Sequence, residues 1–362
     1  MSNRKPDPRA RPKWRTRFVA AHRWLGLAAA IFWLIQAGTG VMIVFHWEID
    51  DALVAGRPAK TDLPAIQSRL GLLAPAGSGR RIVSVWTSAG APDRYDVTIA
   101  DPRAGKQVVR IAGDGTVLRT RGGARSVIDT LVVLHQTLLL GDAGGWIVGI
   151  SGDLLLSNLL FGLVAAWPRW GTWRRAVVPI RVGGPAARAY SWHRALGLFG
   201  VAPALLLVSV GVSLVFEDGT ARLVGAAPLA LPPRPGAPVV GFAAAVETAE
   251  RAVPGSRLTA VATMPGPDDA TYRIRVLAPD EWRRAYGTST VYVDAVTGAV
   301  RGAYPANAAP RANTFMNALY AFHTGEILGL VGRLLVMATG LWLATMVVLG
   351  LILWQRRRHR RS

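Results

Sequence analysis

Four of the six histidines in this chain fall into two repeat-related pairs. The first pair is His22 and His193, and each begins the sequence His-Arg-x-Leu-Gly-Leu. Each copy opens a long apolar run. Two imidazoles supplied by repeat-related helices suit a six-coordinate haem, a set that leaves no position open and favours electron transfer over oxygen chemistry. The repeat therefore predicts a cofactor site that takes one ligand from each half of the chain.

The second pair is His135 and His323, and the offset between them also superimposes Gly162 on Gly350. These two histidines precede the apolar cores of two further helices, on the side opposite to the first pair. Ionisable residues in or near a membrane are functional hypotheses by default. We therefore predict that His135 and His323 ligate a second haem iron.

The residues that follow the first pair suggest further roles. Gly26 and Gly197 lie one helical turn from the histidines, where a small residue lets a flat macrocycle approach the backbone. Arg23 and Arg194 are placed to pair with the haem propionates. In the alternative interpretation, each His-Arg only marks where a helix meets the lipid headgroups, and the glycine serves helix packing.

His46 has no mate in the second half, because Glu217 stands at the corresponding offset. It is interpreted as an interfacial or substrate-side residue, with axial ligation as the alternative. His359 lies in an arginine-rich tail and is expected to be solvated.

The composition is that of a membrane protein. Hydrophobic residues make up 51% of 362 residues, and four windows reach the roughly 20 apolar residues that cross a bilayer, near 24–45, 146–167, 197–216 and 327–354. The first is too long for a signal peptide and lacks a cleavage site, so it is expected to remain as an anchor. The absence of cysteine excludes disulfides, iron–sulfur clusters and covalent haem attachment.

The net charge of +20 resides almost entirely in three short segments. Residues 1–23 carry eight Lys or Arg and one acid, residues 167–194 carry six Arg, and residues 355–362 carry five. Basic excess in short loops beside spans indicates the cytoplasmic side. Both termini are therefore predicted to be cytoplasmic, and the two inserts between the spans, 47–130 and 217–315, to lie outside. A nucleic-acid partner is not expected.

In both inserts the sequence predicts a helix followed by strands in which apolar and polar residues alternate. The first has a helix near 61–73, strands at 81–87, 94–100 and 106–111, and a Gly-Asp-Gly turn; the second has a helix near 241–253, strands at 257–263, 271–277 and 289–294, and a Thr-Gly turn. The predicted fold is an all-α four-helix membrane bundle with two α+β inserts, built from two parallel repeats. The expected order is tail 1–23, span 24–46, insert 47–130, edge helix and span 131–167, loop 168–191, span 192–216, insert 217–315, span 316–354 and tail 355–362.

These motifs resemble the PepSY-associated transmembrane family of bacterial inner-membrane proteins. The resemblance rests on His22-Arg23-Trp24-Leu25-Gly26, Leu134-His135-Gln136, Trp192-His193-Arg194-Ala195-Leu196-Gly197 and Phe322-His323-Thr324-Gly325. The strand and turn at 291–300 are similar to the end of a PepSY domain, whereas the first insert has the shorter Gly-Asp-Gly turn.

The resemblance implies a multi-pass inner-membrane oxidoreductase with two b-type haems and periplasmic inserts. Its better understood members are iron-regulated proteins that reduce ferric siderophores. Electrons would come from a cytoplasmic reductant or a quinol, pass from the His22/His193 haem to the His135/His323 haem, and reduce a ferric chelate outside.

Two other classes of function remain open. The inserts can be binding or regulatory modules on a non-catalytic membrane anchor. Alternatively, the chain is a metal-handling permease with His46, His135 and His323 as an outer site. Against a permease, we expect no acidic residue near mid-membrane and no broken helix pair, two features common in transporters.

Overall fold

A computed structural model describes residues 13–56, 59–122, 125–227, 231–281 and 285–358. The chain divides into two compact units. The helical unit comprises 1–44, 131–216 and 333–362, and the sheet unit comprises 45–130 and 217–332. The predictions for His359 and for the ends of both basic tails lie outside the described residues.

The described residues form twelve α-helices and eight strands. The helices are α1 Lys13–Ala28, α2 Ala30–Ile43, α3 His46–Ala52, α4 Leu63–Leu73, α5 Val127–Thr137, α6 Gly141–Ala166, α7 Trp173–Val177, α8 Pro185–Val215, α9 Glu217–Val224, α10 Phe242–Ala252, α11 Arg311–Thr324 and α12 Gly329–Arg358. The strands are β1 Arg81–Thr87, β2 Arg94–Asp101, β3 Gly105–Ala112, β4 Val117–Arg121, β5 Arg257–Thr263, β6 Thr271–Leu277, β7 Ser289–Asp294 and β8 Val300–Tyr304.

The helical unit contains the membrane-crossing segments. Helices α6, α8 and α12 are each long and apolar enough to span a bilayer, and few of their residues are buried. A helix satisfies its own backbone hydrogen bonds, which is why it can present that surface to lipid. The predicted membrane location is therefore supported by three candidate spans, or four if α1 and α2 form one bent span.

The structure bears on two expectations about these spans. Helices α1 and α2 form one broken segment, bent by 68° at Ala29, where the backbone leaves helical geometry. Gly26, which favours helix less than alanine does, lies one turn before the break, and nothing else in the sequence marks it. In addition, Asp153 lies at the middle of α6. The distribution of acidic residues therefore no longer counts against a permease, whereas the repeat-related α8 is continuous, so the described residues contain one broken span and not a pair.

The sheet unit holds a single antiparallel sheet in the order β4-β3-β2-β1-β5-β6-β7-β8. The sequence predicted two separate inserts, but β1 and β5 pair at Val85↔Val261 and Trp86↔Ala260 and join the two four-stranded halves. Helices α4 and α10 share one apolar core with the strands, including the buried residues Ile66, Val97, Val246, Ile274 and Val291. The strand order is thus symmetric about the central β1–β5 pair.

Local sequence explains the elements that frame this sheet. The carboxylate of Asp62 accepts a hydrogen bond from the Ala65 amide at 2.9 Å and caps the start of α4. Gly115 and Gly298, at φ 79° and 76°, occupy the turns before β4 and β8. This left-handed conformation favours glycine. Strands β4 and β8 themselves were not predicted.

A buried ionic cluster fixes α3 to the first half of the sheet. Arg110 lies 2.8 Å from Asp50, 2.9 Å from Asp51 and 2.6 Å from Asp96, measured between guanidinium nitrogens and carboxylate oxygens. Arg119 also contacts Asp50 at 2.8 Å. Each of these buried charges is paired, as burial of a charge requires. The first half therefore has a second anchor beyond its apolar core.

Candidate cofactor site

The helical unit brings the two histidines of the first pair together. His22 lies on α1 and His193 on α8, and their ring centroids are 6.0 Å apart with the ring planes inclined at 58°. A metal–imidazole bond is about 2 Å long and the ring centre lies about 1 Å beyond the nitrogen, so two imidazoles on one metal have centroids about 6 Å apart. The observed separation matches that requirement.

Both rings line a cavity of about 580 Å³ inside the helical unit. Gly26, Gly197, Arg23 and Arg194 also line it, together with a largely apolar wall that includes Trp33, Leu155, Leu198, Val201, Trp342 and Met346. Cofactor sites in proteins are typically apolar cavities of this size with a few polar groups that fix orientation. The cavity thus gathers all six residues predicted for the first cofactor.

A backbone carbonyl holds the ring of His22. Its Nδ1–H donates to the carbonyl oxygen of Asn158 on α6 at 2.9 Å. Ligating histidines usually donate the second ring N–H in this way, which sets the tautomer and leaves Nε2 for the metal. Asn158 was not predicted as a site residue, because a backbone acceptor leaves no signature in side-chain patterns.

The environment of His193 is different. Its Nδ1 is buried and has no well-aligned hydrogen-bond partner among the described residues, and a backbone group of Met346 on α12 acts on the ring. Buried polar atoms normally have such a partner, and those without one need an explanation. The side-chain Oδ1 of Asn158 is likewise buried without a well-aligned partner among the described residues, although this side chain interacts with the ring of His22. Two residues of the cavity lining, His193 and Asn158, thus each have a buried polar atom without a well-aligned partner in the described part of the chain.

Two glycines of the opposing helices face the histidines. A Cβ at Gly162 on α6 would lie 2.8 Å from Cε1 of His22, whereas a Cβ at Gly350 on α12 would lie 3.7 Å from Cε1 of His193. The offset that relates His135 to His323 also relates these two glycines, but no pattern in the sequence connects them with the first histidine pair. Both make room for an imidazole beside a helix backbone, and Gly162 does so more tightly.

The two arginines already have contacts. Arg194 donates from Nε and Nη2 to the carbonyl oxygen of Ala166, at 3.2 and 3.1 Å, and so satisfies the end of α6. The guanidinium of Arg23 lies 5.0 Å from the ring centre of Trp24, a cation–π distance. Because both arginines line the cavity, they remain candidates for the propionates.

His135 also lies in the helical unit. Its Nδ1 is 3.1 Å from the hydroxyl of Thr39, and that hydroxyl donates to the carbonyl of Ile35 at 2.7 Å. The hydroxyl has one proton, so it accepts from Nδ1–H of His135. Gly40 completes this environment, because a Cβ there would lie 3.0 Å from Cε1 of His135. His135 thus shares with His22 an anchored Nδ1 and an adjacent glycine.

His323 and His46 belong to the sheet unit. His323 is the penultimate residue of α11, just before left-handed Gly325. His46 opens α3, and its ring centre lies 4.9 Å from that of Trp47. Ligation by His323, and either role for His46, remain predictions. Within the described ranges, no three His, Cys, Asp or Glu side chains form a group that could hold a metal ion.

Nearly the whole chain is similar to one protein family. A family model for the PepSY-associated TM region matches residues 19–357. The chain belongs to the PepSY-associated TM family. The match includes both predicted histidine pairs and both halves of the sheet unit. No curated protein matches the chain.

Proposed function

We propose that this member of the PepSY-associated TM family is a multi-pass inner-membrane electron-transfer protein that holds b-type haem and reduces ferric chelates of the siderophore type. The observation that carries this proposal is the placement of His22 and His193 at 6.0 Å inside an apolar cavity. The chain has no cysteine, so any haem it holds is bound without thioether links.

The residues of the cavity fit a haem in three respects. His22 and His193 would hold the iron through two imidazoles, a set that suits one-electron transfer because it leaves no position for oxygen. The Asn158 carbonyl fixes the His22 tautomer. The wall is mainly apolar, as a haem's faces require, and Arg23 and Arg194 are the proposed partners of the propionates. When bound, haem supplies a carrier that gains and loses one electron.

The second haem of the proposal is held by His135 and His323. Support comes from the anchored Nδ1 of His135 and from Gly40 beside it. In this arrangement α1 and α2 act as one bent span, which gives a four-helix bundle with cytoplasmic termini and periplasmic inserts. The donor is a cytoplasmic reductant or a quinol, and the acceptor is a ferric chelate at the periplasmic face.

The test is a reduced-minus-oxidised absorption spectrum of the purified full chain, made in cells supplied with haem. We expect b-type bands corresponding to two haems per chain. His193→Ala is expected to remove about half of the absorbance by emptying the first site, and His323→Ala the other half. His359→Ala, in the basic tail, is the matched histidine control and should leave the spectrum unchanged.

Pigment-free protein under these conditions would refute the proposal and favour the anchor or the permease. Loss of absorbance in His193→Ala alone would refute only the second haem. The acceptor is tested separately, by growth of cells on single ferric chelates as the iron source. The full chain should support that growth, whereas the His193→Ala chain should not.

A further inference from the structure

An acidic residue lies at the centre of a membrane span and faces outward. Asp153 is twelve residues after the start of α6 and thirteen before its end. At 1.5 Å per residue it is about 18–20 Å from either end of the helix. Because the hydrocarbon core is about 30 Å thick, this position is close to mid-membrane. The side chain is nevertheless exposed.

The described part of the chain provides no partner for this carboxyl group. None of the described residues forms a hydrogen bond or an ion pair with it. Arg333 lies four residues after the start of α12 and Arg194 nine residues after the start of α8, so neither is at the middle of its helix. Acidic residues in spans are rare and normally face a bundle interior, a cavity or a partner. Because no described residue pairs with it, Asp153 is expected to meet a polar group from another molecule.

Asp153 belongs to a regular stripe along the exposed face of α6. The stripe is Trp146, Ile150, Asp153, Ser157 and Leu160, with successive spacings of four, three, four and three residues. Trp146 is 62% exposed, Ile150 53% and Leu160 48%. Alternating spacings of three and four define the seam along which two parallel helices pack. A single polar residue in such a seam specifies register and partner.

A second copy of the same chain is a suitable partner, because two Asp153 side chains can pair with each other. Two copies inserted in the same direction hold Asp153 at the same depth, and a two-fold axis along the membrane normal brings their α6 helices together in parallel. A protonated carboxyl group both donates and accepts a hydrogen bond. Two Asp153 side chains therefore satisfy one another, and no cation is needed.

We propose that the chain forms a symmetric dimer in the membrane through the α6 stripe, with the two Asp153 carboxyl groups hydrogen-bonded at its centre. The proposal does not depend on haem or on electron transfer. It uses surface that the cavity around His22 and His193 does not occupy, since that cavity is lined by other residues of α6.

Cysteine cross-linking in native membranes tests the interface directly, because the chain has no cysteine of its own. Ile150→Cys and Ser157→Cys should each give a disulfide-linked product of twice the chain's mass. Leu341→Cys, on an exposed face of α12, is the matched control and should remain monomeric. Equal cross-linking at 341 and 150, no product at 150 and 157, or a product of another mass would each overturn the proposal.

The role of Asp153 is tested by measuring the monomer–dimer equilibrium of the full chain in lipid bilayers. Asp153→Leu removes the paired hydrogen bonds and should weaken dimerisation about tenfold. Asp153→Asn retains a self-complementary amide and should stay within about threefold of the original chain. Both variants keep the apolar span, and monodisperse elution in detergent confirms that they fold. An unchanged equilibrium in Asp153→Leu would overturn the proposed role of the carboxyl pair.

Discussion

The two halves of the eight-stranded sheet agree on one face and differ on the other. On the face covered by the helices, Tyr95 of β2 and Tyr272 of β6 occupy equivalent positions. The hydroxyl of Tyr95 is 2.8 Å from that of Thr61, and Tyr272 donates to the Val240 carbonyl at 2.8 Å. Both bonds tie a strand to the segment before the covering helix.

On the opposite face the equivalent cross-strand pairs are unlike. The first half pairs Asp96 with Arg110, whereas the second pairs Arg273 with Tyr292. Arg110 reaches the carboxylates of α3, while Tyr292 packs edge-on against Tyr304. The difference indicates that the shared core constrains only one face, and that the other has diverged between the two halves.

The largest expected effect breaks the ionic cluster. Arg110→Met leaves buried carboxylates without their cation, and removing one partner of a buried pair costs about 3–5 kcal/mol. Tyr292→Leu, at the equivalent position, loses an aromatic contact worth about 0.5–1.5 kcal/mol beyond its buried area. Thermal unfolding of the full chain in detergent should show a much larger decrease of the midpoint for Arg110→Met. Equal decreases would mean that the cluster adds no stability of its own.

The second prediction compares the two halves within the cavity. Gly162→Ala places a Cβ 2.8 Å from the His22 ring, which the Asn158 carbonyl prevents from moving freely, whereas Gly350→Ala leaves 3.7 Å to His193. We expect haem content to fall at least severalfold in Gly162→Ala and to change little in Gly350→Ala. Pyridine haemochrome absorbance per chain measures this. Similar losses in both variants would contradict the asymmetry.

The third prediction concerns acid. Burial raises the pKa of Asp50, but the hydrogen bond from Arg119 and the charges of Arg110 and Arg121 outweigh it, so the net pKa is below its usual range. A lowered carboxyl pKa contributes stability above the unfolded value of about 3.9 and loses it as the pH falls through the folded value. The unfolding midpoint should therefore decrease between pH 5 and pH 3.

Asp50→Asn provides the control for that pH dependence. The variant should be less stable at pH 6 and should show a smaller decrease between pH 5 and pH 3. A slope identical to that of the unaltered chain would exclude Asp50 as a source of the pH dependence.

The smallest expected effect tests what the two halves share. Tyr95→Phe and Tyr272→Phe each delete one hydrogen bond, worth about 1 kcal/mol. Burial raises the pKa of Tyr272 to about 12, so its hydroxyl is protonated at neutral pH. The two variants should lower the unfolding midpoint by similar amounts. A large difference would show that the helix-covered faces have also diverged.

Local patterns predicted most of the sheet unit. Alternating residues predicted β1 at 81–87, as observed, and the predicted helix near 61–73 is α4 at Leu63–Leu73. The β1–β5 pairing was missed because it joins strands from opposite halves of the sequence and leaves no local signal. Strands β4 and β8 are five residues long and show no clear alternation of burial, so periodicity could not identify them.

The sequence repeat predicted only those cavity residues that occur in both copies. The offset identified His22 and His193 because both copies keep the side chain. Asn158 accepts the hydrogen bond from His22 through its backbone carbonyl. Every residue type has this carbonyl, so the sequence could not indicate the bond. Mid-membrane Asp153 was overlooked because a single acid does not interrupt an apolar run.

The β1–β5 pair has a consequence for synthesis of the chain. Val85 is made in the first half of translation, long before its partner Val261. At about 5–20 residues per second, the growing polypeptide carries an open β1 edge for roughly 10–35 s. Unpaired edges recruit other strands. The nascent first half thus needs shielding, by a chaperone or by rapid delivery of the second half, until the ribosome has passed residue 263.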